Sequence, residues 1–150
     1  MAKKIEMMSA EKQNEKVEKM LVDRAERLRT KCYPRPDKFE QEMKESEETY
    51  RQTVEQQAKM AYAKKICKAA GLPTEETTQQ GDALRTGVWM SYGFRHGNGN
   101  DLVRIELHNG VDENDYIAAF EAYGHEVEVT ELKTDGLFPG YARIRLMVKA

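Results

Sequence analysis

Three histidines, two cysteines and one crowd of glycines are the residues of this chain whose types could do chemistry. A metal centre needs three or four converging ligands, and two of them usually show a close spacing such as His-x3-His. His96, His108 and His125 offer no such pair. His96 falls in a turn, His108 on the polar side of a strand and His125 just after a helix. The expectation is solvated or locally hydrogen-bonded rings and no metal. Cys32 and Cys67 could meet if the first two helices form an antiparallel hairpin, but they read as a reduced pair, not a zinc site. Gly93, Gly97 and Gly99 could suggest a phosphate loop. A strand follows them, so no helix N-terminus is there for an anion, and a hairpin turn is the better reading. No Gly-x-Ser-x-Gly occurs, and with 26 acidic residues any pair of carboxylates arises by chance. No catalytic or cofactor motif emerges, so the chain reads as non-enzymatic, with no cofactor.

Binding is the remaining kind of chemistry. From Ile105 to Leu132 stand eight acids, Glu106, Asp112, Glu113, Asp115, Glu121, Glu126, Glu128 and Glu131, with no Lys or Arg among them. An ordinary surface mixes signs. A patch of one sign steers partners of the other, and spaced carboxylates on a rigid domain can imitate a phosphate backbone. The candidate binding face is therefore Asp112, Glu113, Glu121, Glu126, Glu128 and Glu131; the plain alternative is a solubility face. Basic residues cluster at two helix ends, Arg24, Arg27, Arg29 and Lys31, then Lys64, Lys65 and Lys68. They are possible contacts for nucleic acid, or merely cations that suit a helix C-terminus. Trp89, Tyr92, Phe94 and Arg95 could stack bases on a sheet. Alternation puts Tyr92 with Met90 and Trp89 on the opposite side, so core filling plus one exposed aromatic for a protein contact is the better account.

The elements that must carry these residues divide into two kinds. Ser9 can cap a helix from Ala10 to Thr30, with Val17, Met20, Leu21, Ala25 and Leu28 as a narrow apolar stripe. Pro34 and Pro36 interrupt it. A second helix follows over 37–70, with Asp37 as its cap and Glu40 three residues on. Its apolar positions are Phe39, Met43, Tyr50, Val54, Ala58, Ala61, Tyr62 and Ile66, joined by the Lys65 stem, and Gly71-Leu72-Pro73 ends it. At 1.5 Å per residue it would be roughly 50 Å long. After a linker over 72–87 the period becomes two. Strands are expected over 88–94, 102–108, 127–132 and 141–148. Between the second and third, Asp112 caps a helix over 113–123 that Gly124 ends. The fold class is therefore α+β: a long helical hairpin or arm (1–71), the linker, and a small ββαββ antiparallel-sheet domain (88–150).

Composition supports the division. Charged residues are 33% and apolar residues 39% of the chain. Residues 1–70 hold 17 Lys+Arg against 13 Asp+Glu, a net of +4; residues 71–150 hold 7 against 13, a net of −6. No apolar run approaches the roughly 18 residues of a membrane span, and the first 25 residues show no leader, so a cytoplasmic protein is expected. In size and style, a charged helical arm on a small ββαββ domain resembles small phage-encoded inhibitors such as anti-CRISPR proteins, a resemblance that carries no motif and no residues over. It implies a protein that binds and inhibits a nucleic-acid-handling protein, here with the acidic face in a basic groove. The alternatives are nucleic-acid binding by the basic arm, and a ligand-binding or sequestering oligomer. Val17, Leu21, Leu28, Tyr50 and Val54 look hard to bury in one chain, which suggests a homodimer, helped by a sheet edge at Tyr141–Val148.

Overall fold

The computed structural model describes residues 5–30, 36–74, 87–92, 101–108, 111–132 and 144–150. The glycine turn around His96, Cys32, Lys31, most of the linker, the loop over 134–140 and the first residues of the last expected strand lie outside them. The element order is α1 (Ala10–Thr30), α2 (Pro36–Ala69), β1 (Val88–Tyr92), β2 (Asp101–Leu107), α3 (Glu113–Glu121), β3 (Val127–Glu131) and β4 (Ile144–Lys149). This is an α+β chain with a four-stranded antiparallel sheet. It divides into two compact units, one of Glu6–Ala58 and one running from Lys59 to Ala150. The division into these units falls inside α2, between Ala58 and Lys59.

In the first unit α1 and α2 form an antiparallel hairpin. Asn14 Oδ1 accepts from Arg51 Nη1 at 2.6 Å, Arg24 faces Glu42 at 3.9 Å, and the Arg29 guanidinium lies 5.5 Å from the centre of the Phe39 ring. As the partner in α1 advances, the partner in α2 retreats, which is the mark of antiparallel helices. Ser9 caps α1 as expected, its Oγ accepting from Lys12 N at 3.2 Å. Helix α2 starts at Pro36, where a missing N–H costs nothing, so Asp37 stands within the first turn and not ahead of it. Val17, Leu28, Val54 and Ala58 are buried within the single chain. The need for a second copy to cover three of these therefore falls away; Leu21 and Tyr50 remain half-buried.

In the second unit the last third of α2 keeps the stripe of Val54 and Ala58 at Tyr62 and Ile66 and gains a second buried face. Met60, Tyr62, Ala63, Ile66 and Cys67 are buried, while Ala61 and Lys65, expected on the stripe, are exposed. The helix ends in a Schellman motif: Leu72 N donates to Cys67 O at 2.9 Å and Gly71 N to Lys68 O at 3.0 Å, with Gly71 at φ 71°. Helix α3 ends the same way. His125 N donates to Phe120 O, Gly124 N donates to Glu121 O, and Gly124 sits at φ 85°.

The strand order is β1-β2-β4-β3, so β2 and β4 are central and β1 and β3 are the edges. Of the edge expected at Tyr141–Val148, the described part, Ile144–Val148, is no free edge: there β4 is paired on both sides. The register places Val88, Met90, Val103, Ile105, Leu107, Ile144, Leu146 and Val148 on one face, and all eight are buried. Tyr116, Ala119 and Phe120 of α3, which packs on β3 and β4, supply apolar cover. A register shift between Asp101 and Val103 brings the Asp101 carboxylate within 2.9 Å of Lys149 Nζ.

Gly87 opens β1 at φ 74°, and its carbonyl accepts from His108 N at 2.8 Å. A Cβ there would come within 2.6 Å of Val111 Cγ2 and 3.2 Å of His108 O. Gly87→Ala combines a left-handed backbone with this crowding, and is expected to cost about 1–3 kcal/mol. An unchanged denaturation midpoint in the variant would contradict the placement of this turn.

Candidate functional site

The acids of the candidate face separate once the structure places them. Asp112 is spent as the cap of α3, its Oδ1 accepting from Asn114 N at 3.0 Å. Glu113 is half-buried, and Asp115 stands in the first turn, where acids suit the helix dipole. Glu121 is exposed at the other end of α3, where the dipole opposes it. Glu126, Glu128 and Glu131 are exposed along β3. Glu128 is not uncompensated, because Lys149 Nζ stands 3.5 Å from its Oε2. Glu121, Glu126 and Glu131 make no ion pair among the described residues.

Glu106 leaves the acidic surface altogether. Sequence alternation puts Arg104, Glu106 and His108 on the solvent side of β2, but the three are only 6%, 7% and 4% exposed. Glu106 Oε1 lies 3.1 Å from Arg104 Nη2 and 3.4 Å from Nη2 of Arg145, its cross-strand neighbour on β4. Two arginines thus offset one desolvated carboxylate, an arrangement in which losing one partner costs far more than the intact group contributes. His108 follows on the same side, and neither of its ring nitrogens has a hydrogen-bond partner among the described residues. The pattern Arg-x-Glu-x-His reads equally as a solvated strand, because alternation tells which residues share a face and not whether that face is covered.

His125 is locally bonded, as expected. Its Nδ1 donates to Lys149 O at 2.9 Å, since a carbonyl can only accept. In the neutral ring Nε2 then accepts from the Tyr62 hydroxyl at 2.6 Å. This one side chain ties α2 to the end of β4 beside the start of β3. The basic clusters fall in different units. Arg24 and Arg29 are engaged with Glu42 and Phe39, and Arg27 Nε reaches the Asp23 carbonyl at 3.4 Å. Lys65 and Lys68 are exposed and Lys64 is half-buried. Trp89 and Tyr92 are both half-buried, on opposite faces of β1. Among the described residues, no three of His, Cys, Asp and Glu gather as a metal site, and no helix is long and apolar enough to cross a membrane. Comparison with protein-family models, with curated proteins and with solved structures finds nothing that matches this chain.

Burial also sets the chemistry of Cys67. Desolvation pushes its thiol from 9.0 up to about 12, and the buried Tyr116 hydroxyl, which donates to Pro73 O at 2.7 Å, is raised as well. Both groups hold their protons more tightly folded than unfolded. Their contribution is therefore complete below the unfolded value and is lost as pH rises toward the folded one. Stability should be level through neutral pH and should fall above pH 9 by about 1.4 kcal/mol per pH unit for Cys67 alone. Denaturant titrations across this range in a Cys32→Ala background check it. A Cys67→Ala variant losing stability just as steeply over that range would show that Cys67 adds nothing.

Proposed function

We propose that this chain is a non-enzymatic interaction protein that binds, and by binding inhibits, a nucleic-acid-handling protein, using the acids of α3 and β3 against a basic groove. The observation that carries this reading is the exposure of Glu121, Glu126 and Glu131 with no ion-pair partner among the described residues. Helix chemistry accounts for Asp112 and Asp115 without a partner. It does not account for an acid at the end of α3 or for an acidic edge strand. Uncompensated like charge weakens a compact fold through self-repulsion, so its retention points to use in association. Nucleic-acid binding by the helical arm draws less support, because Arg24 and Arg29 are already held within the hairpin.

The test replaces Glu121, Glu126 and Glu131 with Lys together and leaves Glu128 with its partner Lys149. Folding should be unchanged or improved. Cross-linked capture followed by mass spectrometry identifies the partner of the native chain. The triple variant should then associate with it about tenfold or more slowly at low salt, with the salt dependence largely gone. A variant that folds and associates with unchanged rate and salt response makes the acids a solvated surface only.

A further inference from the structure

Among the described residues strand β3 has a free edge, and the ladder shows which of its backbone groups face outward. Lys149 N donates to Glu126 O at 2.8 Å, which makes Glu126 and Lys149 a hydrogen-bonded pair. Alternation then turns the N–H and C=O groups of Glu128 and Thr130 toward β4, and those of Val127, Val129 and Glu131 away from the sheet. The other end of the sheet agrees: His108 N donates to Gly87 O, so β2 turns its even-numbered groups to β1 and its odd-numbered ones to β4. No strand pairs with the outer side of β3 among the described residues. Nothing blunts this edge by burial: Val129 is 48% exposed, and four of the five residues of β3 are exposed.

Resting on the reading above, we infer that the outer edge of β3 takes up an extended segment of the partner protein as a fifth strand, and that this segment alternates Lys or Arg with apolar residues. Charge selects this occupant. Glu126 and Glu128 share one face of β3, and Val127 and Val129 share the other. A strand laid alongside sets its own alternate residues against each row, so cations meet the carboxylates and apolar side chains meet the valines. The fold already contains such a strand on the inner side. β4 reads Ile144-Arg-Leu-Met-Val-Lys149, with Lys149 on the face of Glu128 and 3.5 Å from it, and Leu146 and Val148 opposite Val129 and Val127. The docked segment repeats on the open side what β4 supplies on the closed one. A second copy of this chain is the occupant that charge disfavours, since pairing β3 with itself brings Glu126, Glu128 and Glu131 of both strands onto adjacent strands.

The test uses the full chain and a synthetic peptide that alternates Lys and Val over eight residues. Its control is the same peptide N-methylated at alternate residues, on the side that would face β3, with charge and apolar surface kept. Binding is read by backbone amide shifts and calorimetry. The plain peptide should bind and shift Val127, Val129 and Glu131; the methylated one should bind about tenfold or more weakly. On the protein side, Val129→Pro removes one outward donor at a position where an edge strand tolerates proline, and should cost a similar factor. Glu126→Gln with Glu128→Gln keeps the backbone and should weaken the peptide in a salt-dependent way. Equal binding of the plain and methylated peptides, lost on charge reversal, would overturn the fifth strand while leaving the acidic-face reading intact. No binding of either peptide would also overturn it. So would concentration-dependent dimerisation that Val129→Pro abolishes, because β3 would then be pairing with its own copy.

Discussion

The pairing of β2 with β4 is the constraint on which the rest of the sheet depends. It joins two hairpins side by side, β1 with β2 and β3 with β4, and it fixes which strands are inside. All seven residues of β2 are buried, whereas β4, equally central, buries only alternate ones, so the charged residues of β2 are desolvated by cover on both faces of that strand. Glu106 is tolerable there because the register sets it across from Arg145, while Arg104 lies two residues along its own strand. The same pairing leaves β3 outside, with one row of backbone groups satisfied and the next unclaimed among the described residues. The strand order thus sets Glu106 across from Arg145 at the centre and leaves an acidic edge strand at the side.

Much of this was legible in the residues. The caps and stops are local signals and need no knowledge of the tertiary fold: Ser9 and Asp112 at helix starts, Gly71 and Gly124 at helix ends. The ββαββ order follows from the change of period after the long helix. Strand order was not legible, because alternation tells which residues share a face and not which strand lies beside which. Hence the sequence alone is compatible with an edge at Tyr141–Val148 and with solvated Arg104, Glu106 and His108. The acidic face was visible as a run without cations, but Lys149 lies far along the chain from Glu128, and only the register brings them together. Nor could the sequence show that Glu106 leaves that face for the interior.

The long helix shows a second limit of reading by pattern. The sequence pattern shows a single stripe, yet past Ala58, where the chain divides, Met60, Ala63 and Cys67 add a second buried face beside Tyr62 and Ile66. A helix that serves two units needs two faces, and a sum over its length blurs both. The Tyr62–His125–Lys149 chain of hydrogen bonds fixes its last third to the sheet unit at the corner where β3 begins.

Among the described residues β3 is an open edge whose alternate amides face outward. Residue-resolved amide hydrogen exchange under native conditions tests it most directly. The account predicts slow exchange for successive residues of β2, and on β3 an alternation, with Glu128 and Thr130 protected while Val127, Val129 and Glu131 exchange fast. Uniform protection along β3, or fast exchange at Glu128 and Thr130 with Val129 protected, would contradict it.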